Sequence, residues 1–121
     1  MSEEYFTKAP PQFEVSISTT MDVPWHRITA YHGPVFGVVV RSMGFAKGIV
    51  GGLRGLAGGE VKEYTTLLED SRRHAVDRLV QNAKAIGANG VVGMRFDSSE
   101  IGTQFTEIVA YGTAVSIEAV S

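Results

Sequence analysis

The chain has 121 residues, with 11 Lys and Arg against 13 Asp and Glu, a formal net charge of −2, 44% hydrophobic residues and 20% charged ones. That length suits one domain, and the charge balance lacks the basic excess expected of a protein that binds nucleic acid by neutralising phosphates. There is no Cys, which excludes disulfides, iron–sulfur clusters, thiolate zinc sites and cysteine nucleophiles.

Residues 1–12 are polar and carry a Pro10-Pro11 pair, and they read as a loose leader to a single domain over 13–121. Glu3, Glu4, Lys8 and Glu14 leave no room for a signal-peptide core. The longest apolar runs are too short for a membrane span. The expectation is therefore a cytoplasmic protein, with neither a membrane nor nucleic acid as its partner.

From Phe13 to Thr20, Phe13, Val15 and Ile17 alternate with Glu14, Ser16 and Ser18, the period-2 pattern of a strand. Asp22 and Pro24 then predict a turn. Ile28 to Val40 is rich in β-branched and aromatic residues and predicts a second strand, with Gly33-Pro34 as a bulge or bend. Nine of the 14 glycines lie between Gly33 and Gly59. Within Gly44 to Gly59, Phe45, Ile49, Leu53 and Leu56 recur at roughly helical spacing, enough for a short glycine-framed helix.

From Glu60 to Ile86 the period becomes helical. Val61, Tyr64, Leu68, Ala75, Leu79, Ala83 and Ile86 form one stripe, and Gly87 follows as a C-cap. Val91 to Phe96 predicts a strand, Asp97-Ser98-Ser99 a turn, and Phe105 to Ala119 a long final strand. In that last strand the odd positions are mostly large and the even ones include Ala110, Gly112, Ala114 and Ser116. The order is ββ, Gly-rich segment, long α, ββ, an α+β fold with an antiparallel or mixed sheet on one helix. A helix that long rivals the width of the whole subunit, and a face of small residues invites close approach. Both observations favour a homo-oligomer.

Several elements together resemble the YbjQ family: Ser18-Thr19-Thr20, Tyr31-His32-Gly33 with Gly37 downstream, and Gly58-Gly59 before a helix carrying Tyr64, Leu68, Arg72 and Ala75. The helix exit from Ala83 through Ile86-Gly87-Ala88-Asn89-Gly90 to Gly93 is the most specific part, and Gly112-Thr113-Ala114-Val115 fits the final strand. The match runs in order over about residues 16–117. The resemblance implies a dodecin-subunit-like α+β fold, a ring-shaped homopentamer and a heavy-metal-binding label. Some relatives carry Cys between the Tyr and Gly of the Tyr-x-Gly element, where this chain has His32.

His32 is accordingly one metal candidate, since one imidazole per subunit becomes several around a ring axis, and imidazole suits Zn, Cu or Ni. The competing reading is a strand histidine that hydrogen-bonds locally or faces solvent. His74 is the other candidate, with Asp70 four residues before it and Asp77 three after. Glu69, Asp70, Arg72 and Arg73 make the same stretch read equally as a solvated, salt-bridged face. Ser71, His74 and Asp77 contain the residue types of a hydrolase triad but would fan outward along one helix rather than converge. The glycine-rich segment has neither a Walker string nor G-x-G-x-x-G. Backbone amides at Gly58 and Gly59 before the helix, with Arg54, Tyr64 and Arg72, form a candidate site for a small anion. Arg72 has a structural alternative, a pairing with a carboxylate such as Asp97 or Glu107.

The residues thus favour a non-enzymatic, homo-oligomeric binding or scaffold protein, pentameric by resemblance, holding a divalent metal ion or small anion between subunits. Two alternatives come from other classes. One is an enzyme with an inter-subunit site and a histidine acid–base. The other is an adaptor that docks on a protein or membrane through the Gly-rich segment.

Overall fold

The computed structural model describes residues 15–42 and 62–120, and the side chains of its helix from residue 65 onward. The leader, the Gly-rich segment with Arg54, Gly58 and Gly59, and the side chain of Tyr64 lie outside the described residues. The elements are β1 (Ser16–Ile17), β2 (His26–Ser42), α1 (Lys62–Ala85), β3 (Gly90–Ile101) and β4 (Phe105–Ala119). They form one mixed sheet in the order β1-β3-β4-β2, in which β1 joins β3 in parallel and the other pairs are antiparallel. The α+β architecture with one long helix on a mixed sheet is the expected one. Among the described residues no helix is long and apolar enough to cross a membrane.

Two boundaries differ from the sequence reading. The regular first strand ends at Ile17 rather than Thr20, although the backbone keeps bonding to β3: the Ser18 amide donates to the Val91 carbonyl at 2.8 Å, and the Met94 and Gly93 amides donate to the Ser18 and Thr20 carbonyls at 3.0 and 2.8 Å. The Thr20 amide donates to Ser18 Oγ at 3.0 Å, and Thr20 Oγ1 donates to the Asp22 carbonyl at 2.7 Å. Such local bonds bend the chain here without releasing it from β3. Conversely, Asp97-Ser98-Ser99 is no turn: it pairs with Val109, Ile108 and Glu107 of β4, and the chain reverses only after Ile101. Cross-strand pairing overrides the local turn preference of these residues.

The helix ends as its sequence dictates. Gly87 adopts φ +85°, the Ala88 amide donates to the Ala83 carbonyl at 3.0 Å, and the Gly87 amide donates to the Lys84 carbonyl at 3.0 Å. This is a Schellman cap. The next residue, Asn89, acts as an extra strand residue. Its Nδ2 donates to the Ile117 carbonyl at 3.0 Å and its Oδ1 accepts from the Ile117 amide at 2.7 Å. The conspicuous helix-exit motif is thus a cap followed by a side-chain splice into β4.

α1 packs on the small-residue face of the sheet. Ala75, Leu79 and Ala83 are fully buried against Val35, Val39, Ala110 and Ala114. A Cβ at Gly37 would lie 2.1 Å from the Ala75 carbonyl oxygen and 2.4 Å from the Leu79 nitrogen, so helix backbone rests on this glycine. The close approach invited by the small side chains of β4 is therefore made by this chain's own helix. The large side chains face the other way. At one end of that outer face Val23 covers Val92, Val115 and Ile117. At the other end Phe36, Val38 and Val40 of β2 and Tyr111 of β4 remain 52%, 38%, 51% and 37% exposed.

Candidate functional site

β2 is the long edge strand of the sheet, opposite the two-residue β1. Val35, Gly37 and Val39 face the helix, and the same alternation carries Arg41 onto the helix side. There Arg41 Nε donates to Ser71 Oγ at 3.0 Å, and Arg41 Nη2 donates to His74 Nδ1. Ser71 is the buried polar residue of the core, at 0% exposure, and it passes its own proton to the Leu67 carbonyl one helical turn earlier, at 2.8 Å. A chain of bonds thus runs from the edge strand into the helix backbone. Because Arg can only donate, His74 accepts at Nδ1 and carries its proton on Nε2.

These bonds settle the triad geometry. The Ser71 proton points to a backbone carbonyl and the Nδ1 of His74 to a guanidinium, so neither group activates the other. Arg41 is a site residue that motif spacing does not single out. The signal was present: an Arg closing an apolar run, in phase with the buried positions of β2.

Two clefts follow the outer edge of β2 beneath the helix, an edge that no described strand pairs. One, of about 400 Å³, is bordered by Val40, Arg41, His74, Asp77, Arg78 and Gln81. Its neighbour, of about 460 Å³, lies between Phe36, Val38, Arg78, Gln81 and Asn82. Asn82 Nδ2 donates to the Phe36 carbonyl at 2.6 Å, which shows that Phe36 turns its backbone outward from the sheet. By alternation, Val38 and Val40 turn theirs the same way. Pro34, also in this phase, removes a donor from the edge, where proline is tolerated.

The other candidate residues stand apart. His32 is the extra residue of a bulge, skipped between the Tyr31↔Val115 and Gly33↔Ala114 pairs, and its Nε2 lies 2.7 Å from Ser116 Oγ. It is exposed, and it sits nine positions before Arg41 on β2, about 30 Å along an extended strand. His32 and His74 therefore cannot share one ion within a protomer. Among the described residues no group of three or more His, Cys, Asp or Glu is placed to hold a metal, so one protomer's described side chains do not fit a metal centre. Arg72 lies over the Phe96 ring, 5.1 Å from its centroid, a cation–π contact rather than the expected carboxylate pairing. The salt-bridged reading of the helix face holds at Arg73, which meets Asp70 at 3.0 Å and Glu69 at 3.5 Å.

Among the described residues the arrangement is one helix on a four-stranded mixed sheet, with Arg41, Ser71 and His74 joined where the helix meets β2. The chain belongs to the YbjQ family, whose model, described as "Putative heavy-metal-binding", matches residues 15–118. It is 54% identical over 102 residues to a UPF0145 protein of Bradyrhizobium sp. (strain ORS 278), spanning 84% of this chain and 92% of that one. It is 50% identical over 110 residues to a UPF0145 protein of Thermoplasma volcanium, spanning 91% and 90%. A crystal structure of a protein of unknown function from Pediococcus pentosaceus, in the DUF74 family, shares the fold at TM-score 0.55 and 17% identity, over 86% of this chain and 98% of that chain.

Proposed function

We propose that this chain is a homo-oligomeric binding protein that assembles through β2, as a ring of five, with a small ligand held where neighbouring copies meet. One observation carries the reading. The 17-residue β2 presents an edge with outward backbone groups at Val38 and Val40, beside an outer face where Phe36, Val38, Val40 and Tyr111 are exposed together. An open edge flanked by apolar side chains is a pairing surface, and a second copy of the chain satisfies both its hydrogen bonds and its apolar area. The two clefts border that same edge, so assembly would wall them in.

The acid–base alternative finds less support. His32 meets a serine hydroxyl and His74 a guanidinium, and among the described residues neither bonds to a carboxylate. The adaptor reading depends on the Gly-rich segment, outside the described residues.

The test is native mass spectrometry of tag-free protein. A ring of five 13.0-kDa chains has a mass of about 65 kDa. Val38→Asp sets a charge into the edge and should shift the population to monomer while circular dichroism stays native. A wild-type monomer at micromolar concentration would overturn the proposal, as would a Val38→Asp variant that assembles like wild type.

A further inference from the structure

Arg41 is held unusually for a half-buried arginine. Its partners are a serine hydroxyl and an imidazole, rather than a carboxylate. Among the described residues these bonds use two of its five N–H groups. Its positive charge is fixed in direction by the buried Ser71, yet no described carboxylate pairs with it. Arg78, Gln81 and His74 line the same cleft, and each side chain carries N–H donors. The outward amide of Val40 adds a backbone donor. Against these donors stands one carboxylate, Asp77.

We propose that this cleft binds a small oxyanion, a phosphate or carboxylate group, with Arg41 as the fixed fork and Arg78 as the mobile second cation. Rigid guanidinium groups match such anions in bidentate fashion, and bonds to a charged partner are roughly twice as strong as neutral ones. The volume of about 400 Å³ admits a small solute with its water. Ser71 and His74 act as positioning residues. They hold the guanidinium by its Nε side and leave its outer N–H groups for the ligand. The proposal deepens the binding half of the proposed function and rests on that half alone, because Arg41, His74 and Arg78 come from a single protomer.

The experiment is a nitrogen–proton NMR titration of full-length protein with inorganic phosphate, and separately with acetate, each replacing chloride at constant ionic strength. Assembly mass is recorded on the same samples, so a failed ring and a failed site are told apart. Saturable shifts at Arg41, His74, Arg78 and Gln81 are expected with at least one anion, and the stronger of the two identifies the ligand class. Arg78→Gln should weaken binding about tenfold, and Asp77→Asn should tighten it about threefold. Both positions are exposed, so neither change threatens the fold. Linear, non-saturable shifts, or shifts spread equally over Arg27, Arg73 and Arg95, would overturn the proposal. So would an Arg78→Gln variant that binds like wild type.

Discussion

Gly37→Ala is the most direct test of how α1 sits on the sheet. The added Cβ would fall 2.1 Å from the Ala75 carbonyl oxygen, 2.4 Å from the Leu79 nitrogen and 3.0 Å from the Leu79 Cα. All three are helix backbone, so no side chain can rotate away. An ordinary contact is at least 3.4 Å, and the helix must therefore lift by about an ångström. A gap of that size forfeits a quarter to a half of each dispersion contact it opens. The contacts at risk belong to Ala75, Leu79 and Ala83, each at 0% exposure. The lift also strains the Asn82 bond to Phe36 and the Arg41 bond to Ser71. Together these predict a loss of about 3 kcal/mol, near the upper end for overpacking. For a chain of this length that is a fall of roughly 10–20 °C in Tm. Gly33→Ala is the control. It meets nothing within 4 Å but sits at φ +100°, so only the backbone penalty of about 1–2 kcal/mol applies. The assay is thermal unfolding followed by circular dichroism at one fixed protomer concentration, because assembly makes Tm concentration-dependent. If Gly37→Ala melts no lower than Gly33→Ala, the helix does not rest on that glycine and the packing argument fails.

Three further outcomes are expected. Asn89→Ala removes the two bonds that splice the helix exit onto Ile117, and it should cost about 1–3 kcal/mol in urea unfolding through the groups left unpaired. Glu118→Gln breaks the pair with Arg27, whose side chains are 50% and 69% exposed, and should change stability by less than about 1 kcal/mol in the same assay. Zinc titrated by calorimetry into EDTA-stripped Val38→Asp protein, the variant expected to be monomeric, should show no tight site, and a high-affinity isotherm with one zinc per monomer would contradict the donor set described for a single protomer.

The helix and the final strand were legible because their signals are local and redundant. The apolar stripe from Leu68 to Ile86 has one period and Gly87 ends it in the expected cap, while β4 alternates large and small side chains from Val109 to Ile117 with Thr113 as the exception. The termini of β1 and β3 were not legible. There, serines favour local bonding in both cases, and the partners that decide the outcome, β4 for residues 97–99 and the irregular stretch of β3 for Ser18 and Thr20, lie far away in sequence. The meaning of the small side chains in β4 was misread for a similar reason. Periodicity shows that something approaches closely, but it cannot say whether that something is this chain's helix or another subunit. The outer face with Phe36 and Tyr111 emerges only once α1 has claimed the inner one. His74 was singled out as a ligand, yet the residue that defines its role, Arg41, lies 33 positions away on another element, a contact no spacing rule reaches.

Edge strands are commonly guarded by charged side chains that discourage unwanted pairing, and two arginines beside the open stretch of β2 fit that role as well as they fit an anion site. The accounts differ in what they require of the side chain. A guard needs charge and reach, which Lys supplies. A site needs the planar fork held by Ser71 and His74, which Lys cannot reproduce, since its ammonium offers a point charge with no fixed plane. Arg41→Lys keeps the edge charged, and under the guard account it leaves both assembly mass and anion titration unchanged. Under the site account it leaves assembly unchanged and weakens phosphate or acetate binding about tenfold. Ser71 already favours the second outcome. A guard has no use for a fully buried hydroxyl that fixes its direction, because ordering a flexible side chain costs entropy and returns nothing unless the direction matters.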